Sequence, residues 1–303
     1  MKIFILRTFL PFTFEEAVQL YQPCYESNAL SDKCQRIRNE RIIHDDGETE
    51  IIHEKILEYT SYIPKGLKLF LPKNAAVFRE EIRMKGMRLT RKFTSEWIND
   101  DLLLYYDIVF VEGKQEEYDL DMFDLTDEEK KILTYQVFDL GEPVEQDLKS
   151  FKSSADPNHF VSSITGRGPI FQGWSDQINL NQKNEERKEN EDKEKEKENQ
   201  TSFDSTPIIT EFRLVRFKFK WTGLQTIVEH LAPGVIHTIL GNGHRQSFCW
   251  NDDILGKYYQ SKNYPIFGKQ AAEEKLKYAL EIRAQYEQQQ QEQQKNKKKD
   301  YEK

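Results

Sequence analysis

Alternation of apolar and polar side chains predicts a chain rich in β-strands, with helices towards its ends. Ile3–Leu10 reads as a first strand, and Thr13 followed by Glu15 and Glu16 marks the start of a helix. Further strands are predicted, in chain order, at 48–62, 66–71, 75–82, 87–94, 102–111 and 213–221. Further helices are predicted at 127–134, at 224–240 with an interruption at Pro233-Gly234, and at 270 to about 291. The pattern favours a mixed α+β fold.

The strand at 213–221 places one charge among apolar side chains. Successive residues of a strand face opposite sides, so Arg216, Lys218 and Lys220 form a basic outer face. Arg213 falls on the other side, with the apolar residues Val215, Phe217, Phe219 and Trp221. Two interpretations stay open: Arg213 ends the strand and reaches water, or an apolar cavity holds it for an anionic group such as a lipid phosphate.

Two further residues raise similar questions. Lys55 shares a strand face with Ile51, His53, Leu57 and Tyr59, so it is a second cation among apolar neighbours. Trp221 precedes the turn Thr222-Gly223, and it is either a core residue or an exposed aromatic suited to a bilayer interface.

Composition narrows the class of protein. The 44 Lys and Arg residues against 52 Asp and Glu give a net charge of −8, which argues against a nucleic-acid partner. The 19 Phe, 14 Tyr and 4 Trp residues can build a substantial core despite a mean hydropathy of −0.78. Cys24, Cys34 and Cys249 are predicted to be free thiols in a reducing compartment. No apolar run is long enough for a membrane span, and the N-terminal residues indicate a strand and not a signal peptide.

Much of the polarity lies in two tracts. Residues 181–200 hold no apolar side chain, and we expect a disordered charged insertion there. Residues 286–303 form a charged tail rich in Gln and Lys, so the predicted domain is 1–285.

The motifs of common enzymes fail on inspection. His53-Glu54 begins like a zinc-protease motif, but Leu57 occupies the position of the second His. Gly241-Asn242-Gly243 lacks the third glycine of a dinucleotide loop. These motifs do not exclude an enzyme, but no nucleophile, base and orienting residue are seen together, and we predict no metal and no cofactor.

Three blocks, in this order, resemble the phosphatidylinositol transfer protein family. They are Asp156-Pro157 with 165–169 (TGRGP) and Trp174, then 218–225 (KFKWTGLQ), then 244–250 (HRQSFCW) with Asp252. The resemblance implies a START-like helix-grip fold, in which a large curved antiparallel sheet and long helices enclose one phospholipid. It implies that the chain exchanges phosphatidylinositol or phosphatidylcholine between membranes, with no cofactor besides this cargo.

The same resemblance assigns roles to individual residues. Lipid phosphate contacts are implied for Gln19, Arg213 and, with a changed residue type, Arg91. Headgroup contacts are implied for Lys55 and Glu273, with His53 where the family has Thr and Met84 near a family Asn. Membrane docking is implied for Trp221 and Thr222, where the family has two tryptophans, and Ser162 matches a regulatory phosphorylation site.

These assignments lead to one main hypothesis and three alternatives. We expect a cytoplasmic monomer that visits membranes transiently, carries one phospholipid, supplies lipid kinases and has no enzymatic activity. The first alternative is a lipid sensor or presentation module that does not transfer its lipid and has altered headgroup selectivity. The others are an enzyme that turns over a lipid ester on a cavity fold, and a membrane adaptor that uses the charged insertion at 181–200.

Overall fold

The computed structural model describes residues 1–21, 31–63, 68–69, 71–98, 101–142, 155–176, 206–220, 223 and 225–301. Its strands are β1 (Lys2–Leu10), β2 (Lys33–Ile43), β3 (Thr49–Glu58), β4 (Val77–Lys85), β5 (Arg88–Thr94), β6 (Leu102–Glu112), β7 (Leu133–Phe138) and β8 (Ile209–Phe219). Its α-helices are α1 (Phe14–Tyr21), α2 (Asp127–Ile132), α3 (Gln225–Cys249), α4 (Asn251–Ser261) and α5 (Lys269–Tyr301).

The strands form one 8-stranded sheet in the order β2-β3-β4-β5-β6-β8-β1-β7. Every neighbouring pair is antiparallel except β1 and β7, which run parallel. The large antiparallel sheet with long helices at its C-terminal side confirms the predicted α+β class.

Helices α1, α3 and α4 cover one side of this sheet, which we call the inner face. Phe14 of α1 packs on Phe110 of β6 with ring centroids 6.1 Å apart, and Phe248 of α3 packs on Phe12 at 6.2 Å. Leu255 and Tyr259 of α4 belong to the same buried cluster. The main core therefore lies between the sheet and these helices.

The opposite, outer face is covered along β1, β6 and β8 by the segment that leads into α2. Phe123 packs there with Ile3, Ile5, Phe212 and Leu214. Thr126 and Glu129 form a capping box that starts α2, and Glu129 also accepts a 2.8 Å hydrogen bond from Arg216 of β8. Arg216 thus lies on the predicted basic outer face.

Buried polar contacts join the 155–176 segment to the helices. Arg167 forms an ion pair with Glu16 of α1 at 2.7 Å, with both side chains buried. Asp252 of α4 accepts hydrogen bonds from Ser162 and Ser163. The N–H group of Phe267, just before α5, donates to the carbonyl of Ile164 at 2.9 Å, so this segment connects three helices.

The structure corrects several predicted boundaries. The predicted strand at 213–221 begins at Ile209, so Arg213 lies inside the strand and the interpretation that it ends in water is wrong. The predicted strand at 48–62 ends at Glu58, and a 3₁₀ turn follows at Thr60–Tyr62. The helix predicted at 127–134 ends at Ile132, because β7 begins at the next residue. Helix α3 continues through Pro233, where an interruption was expected.

Other predictions lie partly or wholly outside the described residues. The charged insertion at 181–200 and Cys24 lie there entirely. Of the predicted strand at 66–71, only residues 68, 69 and 71 are described, and they are not in a strand. Cys34 and Cys249 are free thiols, as expected. No helix within the described ranges is both long enough and apolar enough to cross a bilayer.

Candidate functional site

The inner face of the sheet carries a connected group of polar side chains, which we call the inner-face cluster. The register aligns Lys55 of β3 with Glu80 of β4, and Arg91 of β5 with Tyr106 of β6. Arg213 of β8 is aligned with Ile108, two residues along β6 from Tyr106. The cluster consists of His53, Lys55, Glu80, Arg91, Tyr106, Glu211 and Arg213.

Alternation along each strand places these residues on one side together with apolar neighbours. In β4, Glu80 lies between Phe78 and Ile82 on the inner face, and in β8 Glu211 and Arg213 share that face with Val215. The cluster is therefore set into an apolar surface, where an unpaired charge is costly.

Two ion pairs lie within the cluster. Arg91 donates a hydrogen bond to Oε1 of Glu80, whose side chain is fully buried. Arg213 donates from Nε to Oε1 of Glu211 at 2.8 Å, and its guanidinium is 5.7 Å from the centre of the Tyr106 ring. Both Arg213 and Glu211 are buried. Tyr106 thus lies between the two pairs and links them.

Burial also alters the protonation of the cluster. Burial lowers the pKa of Lys55, an effect that the nearby Glu80 carboxylate opposes. Burial lowers the pKa of His53 to about 4, and the charge of Lys55 acts in the same direction, so the imidazole is neutral near pH 7. Burial raises the pKa of Tyr106 to about 12, and its phenol keeps its proton.

The charges of the cluster do not cancel. Apart from the histidine, it contains the cations Lys55, Arg91 and Arg213 and the carboxylates Glu80 and Glu211. With Lys55 protonated, one positive charge is in excess in a largely apolar setting. A buried excess charge is stabilised by a counter-charge, so the cluster suits one monoanionic group.

Several buried polar atoms of the inner face have no hydrogen-bond partner among the described residues. They are both ring nitrogens of His53, Oε2 of Glu80, Oγ1 of Thr8 and Oε1 of Gln136. Buried polar groups are normally paired, so these atoms are available to the hydroxyl or phosphate groups of a polar ligand. They offer both donors and acceptors.

The structure brings some predicted site residues together and leaves others apart. Arg213, Lys55 and His53 lie in the inner-face cluster, as their strand positions suggested, and Arg91, named through the resemblance alone, lies there too. Gln19 is half-buried on α1, and it makes no hydrogen bond to the cluster among the described residues. Met84 is buried on the inner face of β4, and Glu273 is exposed on α5.

Among the described residues, no hydrogen bond or ion pair joins the exposed Glu273 to the buried Lys55. The first turns of α5 contact the 163–168 segment instead, where Nζ of Lys275 donates to the carbonyl of Gly166 at 2.7 Å. A joint role of Glu273 and Lys55 would require this part of α5 to approach the cluster.

Ser162 is enclosed by its own loop. Its hydroxyl donates to Asp252 and accepts from the N–H group of Thr165 at 2.9 Å, and its side chain is fully buried. A kinase could reach this hydroxyl only after the loop opens. Trp221 and Thr222, the predicted docking residues, lie outside the described residues.

Sequence reasoning missed the two carboxylates of the cluster. Glu80 occurs in the run Phe78 to Ile82, and Glu211 stands two residues before Arg213, so each falls on the apolar side of its strand. The alternation that singled out Arg213 carries the same signal for both. Within the described ranges, no group of His, Cys, Asp and Glu side chains could hold a metal ion.

Comparison with known proteins gives the cluster its context. A family model described as phosphatidylinositol transfer protein matches residues 1–260. The chain is 26% identical over 260 residues to Protein retinal degeneration B of Drosophila melanogaster, an alignment that covers 82% of this chain and 19% of that protein. It is 23% identical over 256 residues to Phosphatidylinositol transfer protein 1 of Dictyostelium discoideum, which covers 82% of this chain and 86% of that protein.

A shorter alignment reaches a higher identity. The chain is 35% identical over 103 residues to Cytoplasmic phosphatidylinositol transfer protein 1 of Mus musculus, covering 34% of this chain and 23% of that protein. The chain therefore spans about a fifth of the length of the fly and mouse relatives.

Proposed function

Since this chain belongs to the phosphatidylinositol transfer protein family, whose members are lipid transfer proteins and not enzymes, we propose which lipid it carries and where. Family membership implies that it transfers a phospholipid. The proposed cargo is one molecule of phosphatidylinositol or phosphatidylcholine, held between the inner face and the helices that cover it. The protein exchanges this molecule between membranes.

The excess positive charge of the inner-face cluster is the observation that carries this proposal. A phosphodiester bears one negative charge, so a lipid phosphate beside Arg91 and Arg213 neutralises the excess charge of the cluster. A guanidinium presents five N–H donors in a planar fork, a geometry that suits the oxygens of a phosphate as well as those of a carboxylate. Gln19 of α1 is the third proposed phosphate contact.

The headgroup beyond the phosphate is assigned to the β3 side of the cluster. Lys55 and the neutral His53 lie side by side on the inner face of that strand, and both can donate hydrogen bonds to the hydroxyls of inositol. Glu273 completes this proposed set if α5 approaches the sheet. In phosphatidylcholine the phosphate is followed by a cationic choline, for which Glu80 is the proposed acidic partner in the cluster.

We also propose the oligomeric state of the protein, its location, its partners and its regulation. We propose a monomer that acts in the cytoplasm and binds membranes transiently through Trp221 and Thr222. Lipid kinases are the proposed recipients of its cargo. Phosphorylation of Ser162 would place negative charge against Asp252, so its proposed effect is to open the 162–168 loop.

Transfer of labelled phosphatidylinositol and phosphatidylcholine between vesicles tests the role of Arg213. The single variant Arg213→Met leaves Glu211 buried without its cation, which costs about 3–5 kcal/mol of folding free energy. The double variant Arg213→Met with Glu211→Met removes the whole pair, so we expect near-normal stability. If Arg213 binds the phosphate, this double variant still transfers lipid about tenfold more slowly or worse.

The matched control lies on the other face of the same strand. Arg216 and Glu129 form an outer-face pair at 2.8 Å, and Arg216→Met with Glu129→Met should leave transfer unchanged. Normal transfer by the stable Arg213 and Glu211 double variant would show that the inner pair is structural only, and it would remove the phosphate role.

The non-transferring alternative remains a second candidate because the cluster departs from the family pattern. His53, Met84 and Arg91 stand where the resemblance implies Thr, Asn and Thr, so headgroup selectivity can differ. A protein that retains its lipid but releases none to acceptor vesicles would favour a lipid sensor or presentation module.

A further inference from the structure

Helix α3 has apolar side chains on its exposed face as well as on its buried face. Those on the buried face are Ala232, Ile236 and Leu240. Those on the opposite face, which we call the α3 stripe, are Ile227, Leu231 and Val235, exposed by 57%, 57% and 52%. Their spacing of four residues puts them in one row about 12 Å long. A helix that is apolar on both faces is normally covered on both.

The exposed face of this helix also lacks charge. From Gln225 to His244 the only Asp, Glu, Lys or Arg is Glu229, in a chain of which 32% of the residues are charged. Glu229 turns away from solvent, since Oε1 accepts a 3.2 Å hydrogen bond from the N–H group of Phe219 and its side chain is only 12% exposed. The α3 stripe therefore has no exposed carboxylate of its own helix beside it.

Basic side chains surround the base of the helix. The hydrogen bond from Phe219 to Glu229 holds the second turn of α3 at the end of β8, where Lys218 is half-buried and Lys220 is exposed. The exposed Lys2 at the start of β1 is aligned with Phe217 of that same end. The exposed Asp101 lies at the same end, because its carbonyl accepts a 2.8 Å hydrogen bond from the N–H group of Lys220. Three lysines therefore stand near the base of the helix beside this one exposed acidic side chain, in a protein whose net charge is −8.

We propose that the α3 stripe is a membrane-contact surface, which lies in the headgroup region of an anionic bilayer when the protein exchanges its lipid. This inference rests on the proposed transfer function, because transfer requires contact with a membrane. In the sequence, Trp221 and Thr222 stand between the end of β8 and the start of α3, so the stripe continues the predicted docking site. Apolar side chains enter the interface while the three lysines attract anionic headgroups.

The size of the patch favours a lipid surface over a protein partner. Three side chains exposed by about half offer roughly 300 Å², well below the roughly 800 Å² per partner of a stable protein interface. Insertion into a bilayer needs no complementary surface, and each buried aliphatic side chain contributes separately. The stripe also accounts for docking with one tryptophan where the family has two.

Vesicle sedimentation of the full chain tests this surface. The double variant Ile227→Glu with Val235→Glu places two carboxylates in the stripe, and we expect at least about tenfold weaker binding to phosphatidylcholine vesicles that contain phosphatidylserine. The control Ile43→Glu with Ile266→Glu makes the same change of net charge at residues exposed by 70% and 73%, and its binding should stay within twofold of the unmodified chain. The neutral variant Ile227→Gln with Val235→Gln should bind with intermediate strength.

Two further measurements separate the possible failures. The lipid that copurifies with the stripe variant should be unchanged, because the stripe faces away from the inner face. If neither the unmodified chain nor any variant carried lipid, the proposed function would be refuted instead. Sedimentation velocity reports whether a second copy covers the stripe. Unchanged vesicle binding by the folded stripe variant, or a dimer that this variant dissociates, would overturn the membrane-contact surface.

Discussion

At the level of single residues, the inner face combines burial with charge, and pairing limits the cost. Glu80 is bound by Arg91, and Glu211 is bound by Arg213. In the part of the chain that the structure describes, no carboxylate forms an ion pair with Lys55, although Glu80 raises its pKa against the effect of burial. Buried charges and shifted pKa values that lie close together in this way are typical of sites that bind a ligand.

The neutral imidazole of His53 gives a pH dependence that can be measured. Its pKa is about 4 in the folded chain and about 6.5 when unfolded, so the unfolded chain binds the proton more readily between these values. Its contribution to stability is therefore complete above about pH 6.5 and is lost as the pH falls towards 4. Urea unfolding at pH 7 and pH 5 should show a loss on the order of 1–2 kcal/mol from this group.

The variant His53→Asn isolates this contribution from those of other groups. Asn keeps a polar side chain but takes up no proton, so the difference in unfolding free energy between pH 7 and pH 5 should shrink by about 1–2 kcal/mol. An identical pH dependence in both proteins would mean that His53 is not held neutral by burial.

At the level of elements, the helices position the cluster by close packing on the sheet. Gly241 of α3 lies directly against the ring of Phe138 in β7. A Cβ added at Gly241 would be 2.3 Å from Cε2 of that ring, which is too short for a van der Waals contact. The same ring packs on His237 and His244 of α3. A residue without a side chain therefore sets how near α3 comes to the sheet.

Two glycines of α3 give a matched pair of variants. Gly241→Ala should lower the free energy of unfolding by about 1–3 kcal/mol, because the buried ring of Phe138 must move. Gly234→Ala, on the exposed side with no atom near the new Cβ, should instead raise it by about 0.5–1 kcal/mol through helix propensity. Equal effects in chemical denaturation would contradict this packing of α3 against β7.

The elements differ in how well the sequence predicted them. β6 was predicted because its apolar run is buried on both faces, and the apolar inner face of β8 was predicted from strict alternation. β2 was missed because it is an edge strand, exposed along most of its length and irregular near Ile37, so burial imposes no alternation on it. β7 was missed because it follows α2 without a turn residue between them.

The sequence also predicted only part of the candidate site. Alternation placed Arg213 and Lys55 on the inner face, but no pattern within one strand shows which strands become neighbours. The ion pair of Arg91 with Glu80 depends on the strand order, which only the folded chain reveals. Glu211 pairs with Arg213 and also lies 3.4 Å from Nε2 of His244, so its surroundings depend on helix α3 as well. The interruption expected at Pro233 did not occur, because the helix on either side of it is held by buried side chains such as Ala232 and Ile236.

For the whole molecule, the proposed function requires a fold that shields the acyl chains of a lipid from water. Two acyl chains with about 30 methylenes would cost on the order of 25 kcal/mol if fully exposed. A carrier must therefore cover both chains, and the apolar inner face under α1, α3 and α4 is the surface on which they would lie. The α3 stripe and the lysines near it then determine which end of the carrier meets the membrane.

The lipid that copurifies with the unmodified chain decides whether the inner face holds a phospholipid. Native mass spectrometry of the purified protein, followed by extraction and identification of the lipid, measures both the number of lipid molecules and the headgroup. We expect one phospholipid for each protein molecule, with phosphatidylinositol or phosphatidylcholine as the headgroup class. A protein that carries no lipid, or only lipids without a phosphate group, would contradict this expectation.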